Sequence, residues 1–167
     1  EPYFQQLYNV PVEYGSCFSM LNHLEFLVDK DLCPEGEGRN VGIDLTLERY
    51  MRRGWYGMFT ASLFSSKFKA SDGRWYHSRY DRNYILNFVG GKEWMLGKKK
   101  NHVLNVSGKV TIQGAERTSP IDYAASLAHP THEVQYVQSE LYTKRIGFKP
   151  VFAFTTSYKL NAKRTAH

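Results

Sequence analysis

A chain of 167 residues with 42% hydrophobic side chains is one ordinary domain in length and too apolar to be disordered. Its mean hydropathy of -0.50, with no run of about 18 apolar residues, excludes a membrane-spanning helix but not a wall of alternating strands. The net charge of +6 is spread over short basic clusters such as Arg52-Arg53, Lys98-Lys99-Lys100 and Lys163-Arg164, which read as solvated turns and not as a nucleic-acid surface.

Residues 4–12 form the first candidate strand, with Pro11 marking an edge or a boundary. Residues 14–39 are long, polar and glycine-rich near their end (Gly36, Gly38), which predicts a loop. Residues 40–50 then alternate almost without fault. Val41, Ile43, Leu45 and Leu47 fall on one side, and Gly42, Asp44, Thr46 and Glu48 on the other. A period of two over that length is a β-strand with one apolar and one polar face.

A tight turn over residues 51–54 leads to a third strand, 55–66, and Ser71-Asp72-Gly73 is a strong turn signal. The aromatic and basic stretch 74–81 continues the strands. Residues 83–94 are a fourth strand whose alternation blurs, because both faces carry apolar side chains. After a short turn at 97–101, residues 102–113 alternate cleanly: Leu104, Val106, Val110 and Ile112 against Asn105, Ser107, Lys109, Thr111 and Gln113. A long connection over 114–147 precedes the last strand, 150–160.

These six strands, joined by short turns at one end and long loops at the other, carry the pattern of a transmembrane β-barrel wall. The aromatic content of 15% fits that reading. Tyr50, Trp55, Trp94 and Tyr158 would girdle one rim, and Phe64, Phe68, Tyr80 and Tyr84 the other. On that topology Val41, Ile43, Leu45, Leu47, Val106, Val110, Phe152 and Phe154 face lipid. Asp44, Thr46, Glu48, Asn105, Lys109, Thr111 and Gln113 face the lumen. A soluble antiparallel sheet with one buried face alternates in the same way.

Enzymatic motifs are lacking. Asp44 and Glu48 stand about 13 Å apart on one strand at ~3.3 Å per residue, beyond the roughly 5–9.5 Å of a glycosidase pair. His129-Pro130-Thr131-His132-Glu133 lacks helical metal-ligand spacing, so neither a metal nor a cofactor is predicted. Cys17 and Cys33 flank the first loop, which fits a disulfide and two free thiols equally well.

Several segments, in order, resemble the late barrel of Bacteroidetes-type TonB-dependent outer-membrane receptors. They are LYNVPVE (7–13), GRNVGIDLTLERY (38–50), SLFSSKFKASDG (62–73), NFVGGKEW (87–94), RTSPID (117–122) and SYKLN (157–161). In the loop motif the family usually carries Tyr where Thr118 or Ser119 stands here. The resemblance implies a barrel of about 22 strands around an N-terminal plug.

This chain would supply an antiparallel meander of about six strands, residues 1–167, as part of that wall. Plug and final strands are outside it, and its start at Glu1 without Met reads as a processed product or a fragment. About six strands cannot close a barrel alone, since natural ones start at ~8.

The implied function is energised ligand uptake across the bacterial outer membrane. The implied partners are the rest of the barrel, the plug, TonB through the plug, and the bilayer. In related systems a surface lipoprotein lid covers the loops. The loop candidates for ligand contact are Trp75, Tyr76, His77, Arg79, Arg117 and Asp122. The rivals are a passive outer-membrane pore and a soluble β-sandwich binding module.

Overall fold

A computed structural model describes residues 1–22, 28, 30–131 and 134–160. The fold is all-β. The strands are β1 (Pro2–Glu13), β2 (Leu32–Arg52), β3 (Trp55–Lys69), β4 (Trp75–His77), β5 (Tyr84–Leu96) and β6 (His102–Gln113). After them come β7 (Glu116–Thr118), one short helix α1 (Tyr123–Ala128), β8 (Lys144–Ile146) and β9 (Val151–Lys159). The main sheet has the order β1-β2-β3-β5-β6-β9, with β4 paired to β3, and it is open, with β1 and β9 at its ends. β7 and β8 form a separate two-stranded ribbon.

Contacts divide the chain into two compact units. A loop-rich unit comprises Glu1–Ile43, Leu63–Tyr84 and Gly114–Phe148, and a strand unit comprises Asp44–Ser62, Ile85–Gln113 and the described residues of Lys149–His167.

In the loop-rich unit β1 pairs antiparallel with β2, from Pro2 opposite Ile43 to Glu13 opposite Leu32. The register slips between Leu7 and Val10 and again between Val10 and Val12. Pro11 sits at that irregularity on the sheet edge, where its missing N–H removes no ladder bond. β2 therefore begins at Leu32, inside the stretch predicted as loop. The glycines that suggested a loop are there for close approach. A Cβ on Gly36 would lie 2.5 Å from Val12 Cγ1 and 2.6 Å from the Val10 carbonyl oxygen.

The apolar core of this unit is Val10, Val12, Phe68 and Ala70. Phe68 is fully buried, stacked on Tyr76 at 5.5 Å and edge-on to Tyr142 at 6.1 Å. It therefore packs inside the protein and is no member of an outward aromatic belt.

The two cysteines are free. Cys33 donates to the Val12 carbonyl across the β1–β2 ladder, and Cys17 Sγ lies 3.1 Å from the Tyr76 hydroxyl. The long connection after β6 is also more ordered than its composition suggests, since it holds β7, α1 and β8.

In the strand unit β2 and β3 are joined by Arg53 and Gly54 alone, both at positive φ (52° and 79°). Two central residues with φ > 0 make a primed turn, whose twist matches the flanking strands. The Gly54 carbonyl accepts a bond from the Glu93 amide at 2.7 Å, which ties the turn to β5. β5 and β6 pair without a slip from Ile85–Gln113 to Leu96–His102, and β6 and β9 from Val103–Lys159 to Thr111–Val151.

Directly opposed residues share a face. One face thus carries Phe88, Trp94, Leu104, Val106, Val110, Phe152, Phe154 and Tyr158. The other carries Asn87, Glu93, Asn105, Ser107, Lys109, Thr111, Gln113, Thr155 and Ser157, interspersed with Ile85, Val89, Met95, Val103 and Val151. On this polar face Asn105 donates to Glu93 at 3.2 Å and meets the Tyr56 hydroxyl at 3.3 Å. Thr111 donates to Asn87 at 2.8 Å, and Asn87 to Thr60 at 3.2 Å. The apolar face has no cover among the described residues: Phe152 is 72% and Phe154 75% exposed.

Candidate functional site

The side chains with the most chemistry gather in the loop-rich unit around Asp81, which is fully buried. β3 turns into β4 through Ser71-Asp72-Gly73, where Asp72 caps the turn by accepting from the Arg74 amide at 2.9 Å. The chain leaving β4 then brings Asp81 back beneath β3. Its Oδ1 accepts from the Ser66 amide and from Asn83 Nδ2, both at 3.0 Å. Its Oδ2 meets His77 Nδ1, and Arg117 Nε lies 3.4 Å away. A buried carboxylate is tolerable only when paired and bonded in this way.

Arg117 also donates to the Asp81 carbonyl at 3.2 Å and, from Nη1, to the Tyr142 carbonyl at 3.3 Å. Burial pushes the Arg117 pKa down, and the Asp81 carboxylate works against that. Arg82 pairs with Glu116, and Arg145 with Asn83, which binds the β7–β8 ribbon to the segment after β4.

Beside this cluster lies a cavity of about 350 Å³. Its cationic lining is Lys30, Arg79 and Arg117, its aromatic lining Phe18, Tyr136 and Tyr142, and its one carboxylate among the described residues is Glu13. Glu13 is already engaged: Lys30 Nζ lies 2.9 Å from Oε1 and 5.0 Å from the Phe18 ring centre. That lysine is the leading reason the Glu13 carboxyl titrates below its ordinary value. The Arg79 guanidinium has no hydrogen-bond partner among the described residues, although its backbone is held by Asn22 and Arg117. Burial raises the Tyr142 hydroxyl, so it stays protonated as a donor. A half-open, net-cationic cavity with aromatic walls suits a small anionic or sugar-like group.

The six residues expected from the sequence divide in the structure. Arg79 and Arg117 line this cavity together. Trp75, Tyr76 and His77 form β4 and do not. The Arg39 guanidinium covers the Trp75 ring at 4.6 Å. Tyr76 packs on Phe68, and its hydroxyl bonds Asp72 and Cys17. Burial, then the Asp72 bond, drive the Tyr76 pKa well up. His77 is committed to Asp81. Asp122 caps α1, with Oδ1 accepting from the Ala125 amide at 2.9 Å.

Lys30, Phe18, Tyr136 and Tyr142 were missed, because each lies in a segment that reads as undifferentiated loop. Burial raises the Cys17 pKa, which leaves it a thiol and a weak nucleophile. Within the His-Pro-Thr-His-Glu stretch, His129 Nδ1 bonds Thr131 Oγ1 at 2.9 Å, and residues 132 and 133 lie outside the described residues. No family model, curated protein or solved structure matches the chain.

Proposed function

We propose that the chain is part of the barrel wall of a TonB-dependent outer-membrane receptor, the loop-rich unit contacting ligand and the strand unit crossing the bilayer. The observation that carries this reading is the strand unit's lack of a core. Its only buried described residue is Gly91. Phe88, Phe152 and Phe154 share one face and are each more than half exposed, while the opposite face carries the hydrogen bonds among Asn87, Thr111, Glu93 and Asn105.

In water such an apolar patch is a liability. Against lipid it is the stable arrangement, and the polar face then turns to lumen and plug. The open ends at β1 and β9 demand further strands, since unpaired backbone groups in hydrocarbon cost several kcal/mol each. A soluble β-sandwich would need a second sheet over those phenylalanines. In this role the chain has no catalytic centre of its own. Force for uptake reaches the plug from TonB, and the cavity holding Arg79 and Arg117 contributes to ligand capture.

Detergent extraction of the native source membrane, followed by intact mass measurement, tests the reading. Recovery only from the membrane, in a polypeptide several-fold heavier than this chain and carrying a plug, is the expected result. A plug-free barrel would favour the passive pore. A detergent-free soluble polypeptide of this size would sink both.

A further inference from the structure

On the apolar face of β5, β6 and β9, Lys92 is the one Lys, Arg, Asp or Glu that the register allots. Its Nζ lies 4.6 Å from the centre of the Trp55 ring and 5.1 Å from that of Trp94. It forms no ion pair with a carboxylate among the described residues; neighbouring Glu93 is on the opposite face, bonded to Asn105.

Adjoining this clamp is an apolar groove of about 470 Å³. Gly90 and Gly108 face each other across the β5–β6 ladder and leave its floor without side chains. Phe88, Val106, Val110 and Phe154 contribute its walls.

Two indoles beside an ammonium mark headgroup depth in a barrel wall. At that depth a cation is open to a lipid counter-charge, and the register allots no carboxylate to this face of β5, β6 or β9. The groove gives room for a hydrocarbon chain next to it. The turns that end β2 and β5 add Arg52, Arg53, Lys98, Lys99 and Lys100 at the same end of the strands.

We infer that Lys92, Trp55, Trp94 and the Gly90–Gly108 groove form a binding site for an anionic phospholipid. Lys92 donates to the phosphate, one acyl chain lies in the groove, and the basic turns favour a net negative headgroup. The inference rests on the membrane reading proposed above.

The test uses the full parent polypeptide, reconstituted with equal parts of phosphatidylcholine and phosphatidylglycerol, with retained lipid counted by native mass spectrometry. Wild type is expected to retain phosphatidylglycerol preferentially. Lys92→Gln should lower that preference roughly fivefold, the effect of one cation near the surface. Lys92→Arg should restore it. Gly108→Leu, whose Cβ meets nothing closer than 3.9 Å, should fill the groove and reduce retention of both lipids. Lys109→Gln, on the other face of the same strand, should match wild type.

An unchanged preference in Lys92→Gln, or an equal drop in Lys109→Gln, overturns the inference. A wild type that inserts yet shows no headgroup preference overturns it alone. A parent that stays soluble without detergent overturns the membrane reading and the inference with it.

Discussion

The two units of this chain solve the problem of apolar surface in opposite ways. The loop-rich unit does what a soluble domain does: it buries Val10, Val12, Phe68 and Ala70, and it gives its buried Asp81 a full set of partners. The strand unit leaves its largest apolar side chains outside and turns its hydrogen-bonding groups to one shared face. Phe68 and Phe154 make the contrast concrete. One is fully buried and the other 75% exposed, though both are phenylalanines on β-strands. Side-chain type therefore says little about environment here. What differs is what stands opposite: Tyr76 and Tyr142 over Phe68, and nothing among the described residues over Phe154.

That comparison can be broken or sharpened by substitution. The largest effect is expected from Asp81→Ala. It strands Arg117 as a buried, unpaired cation, a change that costs about 3–5 kcal/mol. Urea titration of the parent in micelles should register this as unfolding of the loop-rich unit with the strand unit retained. Simultaneous loss of both would contradict their separation.

Next comes a pair on β9. Phe154→Arg is expected to cost roughly 2–4 kcal/mol in bilayer insertion, whereas Ser157→Arg, on the polar face opposite Asn105, should be near neutral. Equal tolerance at both positions would end the lipid-facing assignment.

A smaller effect, about 1 kcal/mol, is expected from Asp122→Ala, which removes the cap of α1. Amide exchange should speed up over Tyr123–Ala128 alone.

The smallest is the Glu13–Lys30 pair, worth about 0.2–1 kcal/mol at its partly solvated position. Because the folded Glu13 pKa lies below its ordinary value of 4.5, this stabilisation is present above that pH and fades as pH falls through the folded value. Lys30→Gln should flatten the acid limb of a stability–pH curve, and an unchanged curve would show the pair to be idle.

Local pattern carried the strand unit a long way. β6 was bounded at residues 102–113 from alternation and flanking turns, and it runs over His102–Gln113. The polar set Asn105, Lys109, Thr111 and Gln113 does share a face. Period-two patterning is local, and a uniform environment on each side preserves it.

The loop-rich unit resisted the same treatment. Gly36 read as loop because glycine signals both turns and crowding, and only the position of β1 opposite β2 distinguishes them. Tyr76, His77 and Asp122 were loop candidates for ligand contact, yet each is spent on a hydrogen bond to a residue within four positions of it. Arg79 and Arg117 were two separate members of the six loop candidates, and the fold places both on one cavity, although nothing in their 38-residue separation brings them together.

The sequence by itself determined that the chain is all-β, where most strands lie, and which residues of β6 and β9 share a face. The physical reason is that alternation and turn chemistry act over a few residues. Tertiary structure alone decided that Phe68 is core, that Asp81 and Arg117 are partners, that the cysteines are free, and that Lys92 stands between two tryptophans beside a groove. Each of these depends on contacts between segments far apart in the chain, and those contacts are set by strand order and register, which the sequence pattern leaves open.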